Sequence, residues 1–464
     1  MLRIANHYIS KSISCLLLAE FCILLLLAYA AAAFRFDAAY LLTSKAHAFT
    51  FSAVIFAIVM NFSMSLFGMY QDCVREGVRA TFLRLMPASV LAFVTLTMLF
   101  YVIPSLYFGR GVLGLIFLFS TPAILLTRTM YFASSKSQYL SSRLLFLGAG
   151  PMAHECSRLA LQRGFAFKYS IVGYVPLSEE QSQIDSSELI KLVNNSLVET
   201  ALYHRVDEII VSVENRRGAF PIKHLLECKL RGIKVIDAAD FFEREACQLR
   251  VASLQPSWLV FNSGFDQGQV RMIGKRAFDI VMSAVLGLVA LPVMAVTALL
   301  IVLEDGGPVL YQQERVGKGG KCFNVLKFRS MGKNAERAGV PQWATTNDPR
   351  TTRIGRIIRK CRIDELPQII NVFKGHMSFV GPRPERPFFV DQLNQQIPYY
   401  NIRHSIKPGI TGMAQVRYAY GASVEDAIEK LQYDLYYVKN NSLFLDAIIL
   451  METIQVVLFG KGAR

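Results

Sequence analysis

Four long apolar runs before residue 135 constrain this chain more than any other feature. They cover about 15–34, 49–69, 85–103 and 111–127, each close to the roughly 20 residues an α-helix needs to cross a hydrocarbon core. Backbone polar groups cannot stay unpaired in lipid, so such runs must be helical. A cleavable signal segment is the alternative for the first run, but no small-residue cleavage site follows it cleanly and three more runs do. A transmembrane bundle is therefore predicted over 1–135. Arg3 and Lys11 precede the first run; Arg75, Arg79 and Arg84 separate the second and third; Arg128, Lys136 and Arg143 follow the fourth. Cations collect on the cytoplasmic side, which places both ends of the bundle there. Glu20 sits inside the first run. An acid in that position either serves a function or reaches water near the helix end.

Composition points the same way. The chain is 53% hydrophobic, against about 45–50% for soluble domains, and its mean hydropathy is +0.33. A formal net charge of +15 suits an anionic partner: headgroups, phosphorylated substrates or nucleic acid. Nucleic acid is the weakest of these, because no basic, aromatic-lined reading module is present. Eight cysteines are scattered without a CxxC pair. That argues against a disulfide framework or zinc site and suits a reducing cytoplasm.

Residues 140–265 alternate strand-like and helix-like segments: RLLFLGAG, AHECSRLALQR, YSIVGYV, DEIIVSV and IKVIDAADFF. This pattern predicts a parallel, Rossmann-like (CoA-binding-like) α/β domain. Gly148, Gly150 and Ala153 follow a strand and open a helix, the context a dinucleotide-binding turn requires. The acid expected about 20 residues later, at the end of the second strand, is missing, and Glu179 and Glu180 come several residues too late. The turn is a candidate nucleotide site, or a scaffold for regulation or dimerisation. The joint to the next domain is expected at Gln267 to Lys275.

A further apolar run, Ile280 to Leu303, is interrupted by Leu291-Pro292. Its length could span a bilayer. Cations lie on both flanks, however, and both flanks then want the cytoplasm. Proline removes a helical hydrogen bond and can bend a helix. A re-entrant helix over about 278–303, broken at Pro292, is expected; an ordinary fifth span is the alternative.

The chemistry concentrates in IDELPQIINVFKGHMSFVGPRPERP, residues 363–387. Asp364 and Glu365 precede Pro367, and proline is tolerated in a first helical turn. A helix with Ile369, Ile370 and Phe373 on one face is predicted to begin at about Asp364. Both acids would then lie at the positive end of its dipole. Arg356, Arg359, Lys360 and Arg362 lie upstream, and Arg383 sits in a stiff Gly-Pro-Arg-Pro loop. Carboxylates so placed are expected to stay ionised, which suits nucleophilic attack or metal binding. Asp364 as a mere helix cap is the competing reading. His376 and His404 are expected to be structural. The glycines of KPGITG at 407–412 could let backbone amides approach a phosphate or a uracil. The tyrosines Tyr433, Tyr436 and Tyr437 suit either an interfacial anchor or core packing.

Asp364-Glu365, GPRP at 381–384, KFRSM at 327–331, KPGITGMAQV at 407–416 and YDLYYVKNNSLFLD at 433–446 resemble the bacterial sugar transferases called monotopic phosphoglycosyl transferases. The likeness runs in order from about Lys275 to the C-terminus. The longer architecture is similar to the large polyprenyl-phosphate hexose-1-phosphate transferases of exopolysaccharide or O-antigen synthesis, and the tail to exosortase-associated members. The resemblance implies a three-part membrane protein: a four-helix transmembrane bundle, the α/β domain, and a monotopic α-rich catalytic domain over 270–464. It implies transfer of hexose-1-phosphate from a UDP-sugar to undecaprenyl phosphate at the cytoplasmic face of the bacterial inner membrane, with Mg²⁺ and as a homodimer. Asp364 would be the nucleophile, and Glu365 would help hold the metal, with Asp364 beside it. Arg359, Arg383, Lys327 and Arg329 would grip phosphates, and Gln415 and Asp434 would belong to the site without a derived role. Relatives often carry Ser-Pro where this chain has Leu291-Pro292. Two other classes stay open: a nucleotide-sensing membrane regulator and a non-catalytic scaffold of polysaccharide assembly.

Overall fold

A computed structural model describes residues 2–4, 7–9, 11–36, 46–70, 78–134, 141–161, 168–177, 184–213, 220–254, 256–261, 264–265, 268–332, 350–418, 421 and 423–459. Arg75, Lys136, Glu179, Glu180 and Gln267 lie outside them. The described residues are mostly helical and include a four-stranded parallel sheet. The chain divides into two compact units: Met1–Arg3 with Tyr8–Ala246, and Ile4–His7 with Cys247–Arg464. The division follows Ala246, upstream of the joint expected near 267–275.

After two short strands, β1 (Leu2–Ile4) and β2 (His7–Ile9), come four apolar helices: α1 (Lys11–Phe36), α2 (Ala46–Leu66), α3 (Val78–Val102) and α4 (Arg110–Ser134). All four are long and apolar enough to cross a membrane. Third-helix residues Arg79 and Arg84 are helical, so α3 begins before the expected 85. Ala28, Ala32, Ala53, Ala57, Ala88 and Ala92 are buried where these helices meet. Small side chains there let backbones approach closely, which drives helix association where lipid offers no hydrophobic gain. Leu18, Leu26, Phe51 and Met98 face outward.

Glu20 does not reach water. It is fully buried and forms an ion pair with Arg128 of α4, Nε to Oε1 at 2.7 Å. Its Oε2 also accepts from Arg128 Nη2 at 3.1 Å and from Tyr70 Oη at 2.5 Å. Arg128 Nη1 donates to the Met69 carbonyl at 2.8 Å. This cluster ties α1, the turn after α2 and α4 together.

The sheet contains β3 (Ser142–Leu147), β4 (Tyr169–Val175), β5 (Glu208–Val211) and β6 (Lys234–Asp237), in the order β4-β3-β5-β6 and all parallel. Helices α5 (Pro151–Leu161), α6 (Leu197–Tyr203), α7 (Ile222–Leu230) and α8 (Ala238–Ala246) alternate with these strands. Successive strand residues serve opposite faces. Leu144, Phe146 and Ile210 pack with α5 and α8, while Leu145, Leu147, Ile209 and Val211 pack with α6 and α7. Burial on both faces explains why these strands read as continuous apolar runs.

The second unit begins with α9 (Pro256–Phe261) and the 37-residue α10 (Gln269–Asp305). An antiparallel hairpin follows, β7 (Leu310–Val316) and β8 (Cys322–Phe328). Next come α11 (Arg353–Lys360), α12 (Gln368–Lys374), β9 (Ser378–Val380), α13 (Pro387–Gln396), β10 (Gly409–Thr411), α14 (Met413–Arg417), α15 (Val424–Asn440) and α16 (Leu443–Phe459). β9 and β10 pair in parallel. Val372, Phe379, Leu431, Leu435, Leu445 and Ile449 form the core. Tyr436 and Tyr437 are buried in it, so packing rather than interfacial anchoring explains these two. A reciprocal Ser423–Asp426 capping box starts α15.

Pro292 lies inside α10. The proline cannot bond the Leu288 carbonyl, yet the backbone stays helical through it to Asp305. Both ends of α10 are held by its own unit. Near the start, Arg276 donates to the carbonyls of Val372 and Phe373, both at 2.7 Å. Asp279 Oδ1 accepts from Ser378 Oγ at 2.9 Å and the Phe379 amide at 3.1 Å. Near the end, Glu304 accepts from the amides of Arg353 and Ile354 at 2.8 and 3.0 Å, capping α11.

Candidate active site

The local fold around Asp364 is a sharp corner. After α11, Arg362 adopts the left-handed conformation (φ 57°), and Ile363–Glu365 form one 3-10 turn. Pro367 is the N-cap of α12, which begins at Gln368. The helix predicted from Asp364 therefore starts later, and both acids lie in the turn before it. Of the predicted apolar face, Ile369 is buried beside Gly287 of α10, whereas Ile370 and Phe373 are exposed.

Two neighbouring carboxylates meet opposite environments in this corner. Glu365 Oε1 accepts from Lys327 Nζ of β8 at 3.0 Å and from Arg383 Nη2 of the Gly-Pro-Arg-Pro loop at 3.1 Å. Burial opposes its charge, but Arg383 and Lys327 outweigh burial and hold the carboxyl well below the usual glutamate range. Asp364 accepts no hydrogen bond from any described residue. Burial, and then the charge of Glu365, push its carboxyl above the usual aspartate range, with Lys327, Arg359 and Arg383 pulling back in part. The expectation of two firmly ionised carboxylates is met by Glu365 and reversed in direction for Asp364. Environment has divided the pair into an anchored anion and an open one.

The predicted cations separate likewise. Lys327 and Arg383 converge on Glu365. Arg359, on α11, acts on Asp364 through its charge and donates to Thr351 Oγ1 at 3.3 Å. Arg329 turns elsewhere: its Nη2 caps the end of α10 through the carbonyls of Asp305 and Gly306, at 3.3 and 2.5 Å. Its Nη1 is buried with no hydrogen-bond partner among the described residues.

Asp434 acquires a role. It is buried, and Arg403 donates to its Oδ2 from Nε and Nη2 at 3.1 and 2.7 Å. The same Arg403 donates to the Arg383 carbonyl at 3.0 Å and to Tyr400 Oη at 2.7 Å. A buried Asp–Arg pair thus fixes the backbone that aims Arg383 at Glu365. Arg403 and Tyr400 were invisible in the sequence because they lie outside any motif block; the buried acid on α15 demanding a cation was the available signal. Gln415 donates to the Ile410 carbonyl at 3.3 Å, steadying the β10 turn. The glycines of that segment serve close backbone packing. A Cβ at Gly409 would come within 2.1 Å of the Gly381 amide, and one at Gly412 within 2.3 Å of the Gly381 carbonyl. His404 is buried, its pKa lowered to about 4 by burial and the Arg403 charge.

In the first unit, Gly148 follows β3 with φ +112° and donates its amide to Val175. Gly150 ends the turn and Pro151 opens α5, while Ala153 is buried against the sheet. Close helix–sheet packing accounts for Ala153.

No three His, Cys, Asp or Glu side chains converge among the described residues. Mg²⁺ commonly takes one or two carboxylates and completes its shell with water and substrate phosphates. Asp364, open and adjacent to a second carboxylate, fits that kind of binding.

Residues 270–460 match the family described as bacterial sugar transferase. A UDP-N-acetylgalactosamine-undecaprenyl-phosphate N-acetylgalactosaminephosphotransferase from Aeromonas hydrophila is 50% identical over 190 residues, covering 41% of this chain and 45% of that protein. The Escherichia coli (strain K12) UDP-glucose:undecaprenyl-phosphate glucose-1-phosphate transferase is 42% identical over 198 residues, 42% of each chain. The exopolysaccharide production protein PSS of Rhizobium leguminosarum bv. phaseoli is 43% identical over 201 residues, which are 41% of this chain and 98% of that protein. The match thus spans less than half of the first two relatives and nearly all of the third. The chain belongs to the bacterial sugar transferase family.

Proposed function

We propose that the protein transfers a hexose- or N-acetylhexosamine-1-phosphate from a UDP-sugar to undecaprenyl phosphate, as the first step of exopolysaccharide or O-antigen repeat synthesis. The open Asp364 carboxylate beside the clamped Glu365 carries this reading. In the first step an Asp364 oxygen attacks the sugar-bearing phosphorus of the donor. The bond to the other phosphate breaks and UMP leaves with its electron pair, giving an aspartyl-phosphosugar. In the second step the lipid phosphate attacks the same phosphorus, and the Asp364 carboxylate leaves unchanged.

The remaining residues act electrostatically. An anionic nucleophile approaching anionic phosphates needs positive charge in place beforehand. Lys327 and Arg383 supply it, kept in position by Glu365; Arg359 adds charge from α11. Asp364 and Glu365 would hold Mg²⁺, which when bound neutralises phosphate charge. The raised carboxyl of Asp364 reflects a desolvated, unpaired anion, which is a stronger nucleophile than a solvated one.

The catalytic unit is proposed to sit on the cytoplasmic side of the inner membrane, with α10 entering one leaflet and returning. Hydrogen bonds at both ends of α10 to the same unit support this, since a spanning helix would put a bilayer between them. UDP-sugars are cytoplasmic, which agrees. Isotope exchange between labelled UMP and UDP-sugar without lipid acceptor tests the two-step route. Exchange is expected with the cognate donor; transfer to lipid without any exchange would contradict it.

A further inference from the structure

In the loop over 381–385, Pro382 and Pro384 are buried and have no N–H to donate. A buried loop so short of donors cannot hold itself in a backbone ladder, and its carbonyls need partners from elsewhere. Each carbonyl from Pro382 to Glu385 has one. The Gly409 amide of β10 donates to the Pro382 carbonyl at 3.0 Å, and the Val316 amide of β7 donates to the Glu385 carbonyl at 2.9 Å. Arg403 donates to the Arg383 carbonyl at 3.0 Å. Arg315 Nη1 is shared between the Pro384 carbonyl at 3.3 Å and Glu385 Oε2 at 3.4 Å. Arg383 therefore rides on a loop held by two backbone amides and two guanidinium groups.

The sequence around Arg315 suits this task. Along β7, alternation puts Tyr311, Gln313 and Arg315 on the half-buried face, with Gln312 and Glu314 outside. Gln313 Oε1 accepts from Arg315 Nη2 at 2.6 Å, so a neighbour on the same face fixes the plane of the guanidinium. Burial disfavours the Arg315 charge, Glu385 supports it, and Arg383 and Arg386 oppose it. Glu385 is thus the counter-charge that lets a second guanidinium lie near Arg383. Arg315 makes its hydrogen bonds to Gln313, Pro384 and Glu385, not to Asp364 or Glu365.

We infer that Arg315 is a positioning residue for sugar-phosphate transfer: it fixes Pro384 and Glu385 so that Arg383 stays aimed at the corner holding Asp364 and Glu365. The inference rests on the transferase reading above. Arg403 holds the loop at the Arg383 carbonyl itself, and Arg315 holds it one residue further on. A misplacement of about 1 Å in a group that meets a reacting phosphate can cost about a hundredfold in rate. Lysine would keep the charge at 315 but lacks the planar fork that joins Gln313 to the loop.

Acceptor-free UMP exchange by the full-length protein, normalised to the folded fraction from size exclusion, tests this in a double-mutant cycle. Arg315→Gln is expected to lower the kcat of exchange about tenfold while changing the donor KM less than about twofold. Because Arg315 acts through Arg383, adding Arg315→Gln to Arg383→Ala is expected to lower the residual exchange by less than about twofold. An equal loss in both backgrounds would make Arg315 independent of Arg383 and overturn the inference. Unchanged exchange in Arg315→Gln would overturn it too, as would a loss confined to the donor KM, the mark of direct donor contact. If Arg315→Gln does not fold, Arg315→Lys takes its place with the same expectations. The amides of Val316 and Gly409, which donate to the same loop, should exchange hydrogen faster in the variant, read by mass spectrometry of the peptides that contain them. Unchanged protection would also count against the clamp. Absence of UMP exchange in the unaltered protein would instead defeat the transferase reading, leaving amide protection to judge the clamp by itself.

Discussion

Each unit of this chain buries an acid against an arginine, and the two clusters differ in what they leave open. Among the apolar helices, Glu20 is met by Arg128 and Tyr70, and Arg128 is met by Glu20 and the Met69 carbonyl. In the second unit, Glu365 is met by Lys327 and Arg383, but its neighbour Asp364 accepts no hydrogen bond from a described residue. A closed cluster holds helices together. The open one retains a carboxylate whose charge is disfavoured by burial and by Glu365, which is the condition of a group waiting for an electrophile or a cation. Charge burial alone therefore says little about function, and the unpaired member says much.

The largest effect is expected at Asp364. Asp364→Asn is expected to reduce acceptor-free UMP exchange by at least about 10³-fold, roughly 4 kcal/mol of transition-state stabilisation, with thermal unfolding little changed. The closed cluster should answer in the opposite sense. Arg128→Leu leaves Glu20 buried without its cation and is expected to cost about 3–5 kcal/mol of stability, read as a lowered unfolding midpoint in detergent. Adding Glu20→Leu should recover most of it.

Asp434→Asn tests the support behind Arg383. Weakening its grip on Arg403 loosens the loop carbonyl that Arg403 holds, and kcat/KM is expected to fall about tenfold, near 1.4 kcal/mol. Asp434→Glu should restore part of this. A merely structural Asp434 would lower stability without changing the pH profile or the kcat/KM of the folded fraction.

The smallest effect concerns pH. The Asp364 anion is lost as pH falls through a value above the ordinary aspartate one, so activity should drop on the acid side earlier than for an unperturbed aspartate. Glu365→Gln removes the like charge and frees Lys327 and Arg383, so it should move this acid limb to lower pH. Lys327→Met removes a favourable charge and should move it to higher pH. Limbs moving together would show that another group titrates.

The sequence announced the four apolar helices and the alternating α/β region because burial in lipid and on both faces of a parallel sheet leaves long, periodic signals. It announced Asp364 and Glu365 because two acids in a basic stretch are conspicuous. It did not announce which acid would be free, since Lys327 and Arg383 arrive from β8 and a distant loop. The start of α12 was misjudged because Pro367 caps the helix after a 3-10 turn instead of occupying its first turn. Charge alone marked Arg329, and its hold on the end of α10 has no local signal in the sequence. The glycines of 407–412 also pass close to residue 381, a constraint between distant segments that no local pattern carries.

Asp364 is proposed as the open, reactive member of its pair. Intact-protein mass after incubation with Mg²⁺ and a panel of UDP-sugars, without lipid acceptor, tests it most directly. One sugar-phosphate is expected on the unaltered protein with the cognate donor and none on Asp364→Asn. A sugar-phosphate on the Asp364→Asn protein, or lipid-dependent UMP release with no adduct from any donor, would contradict it.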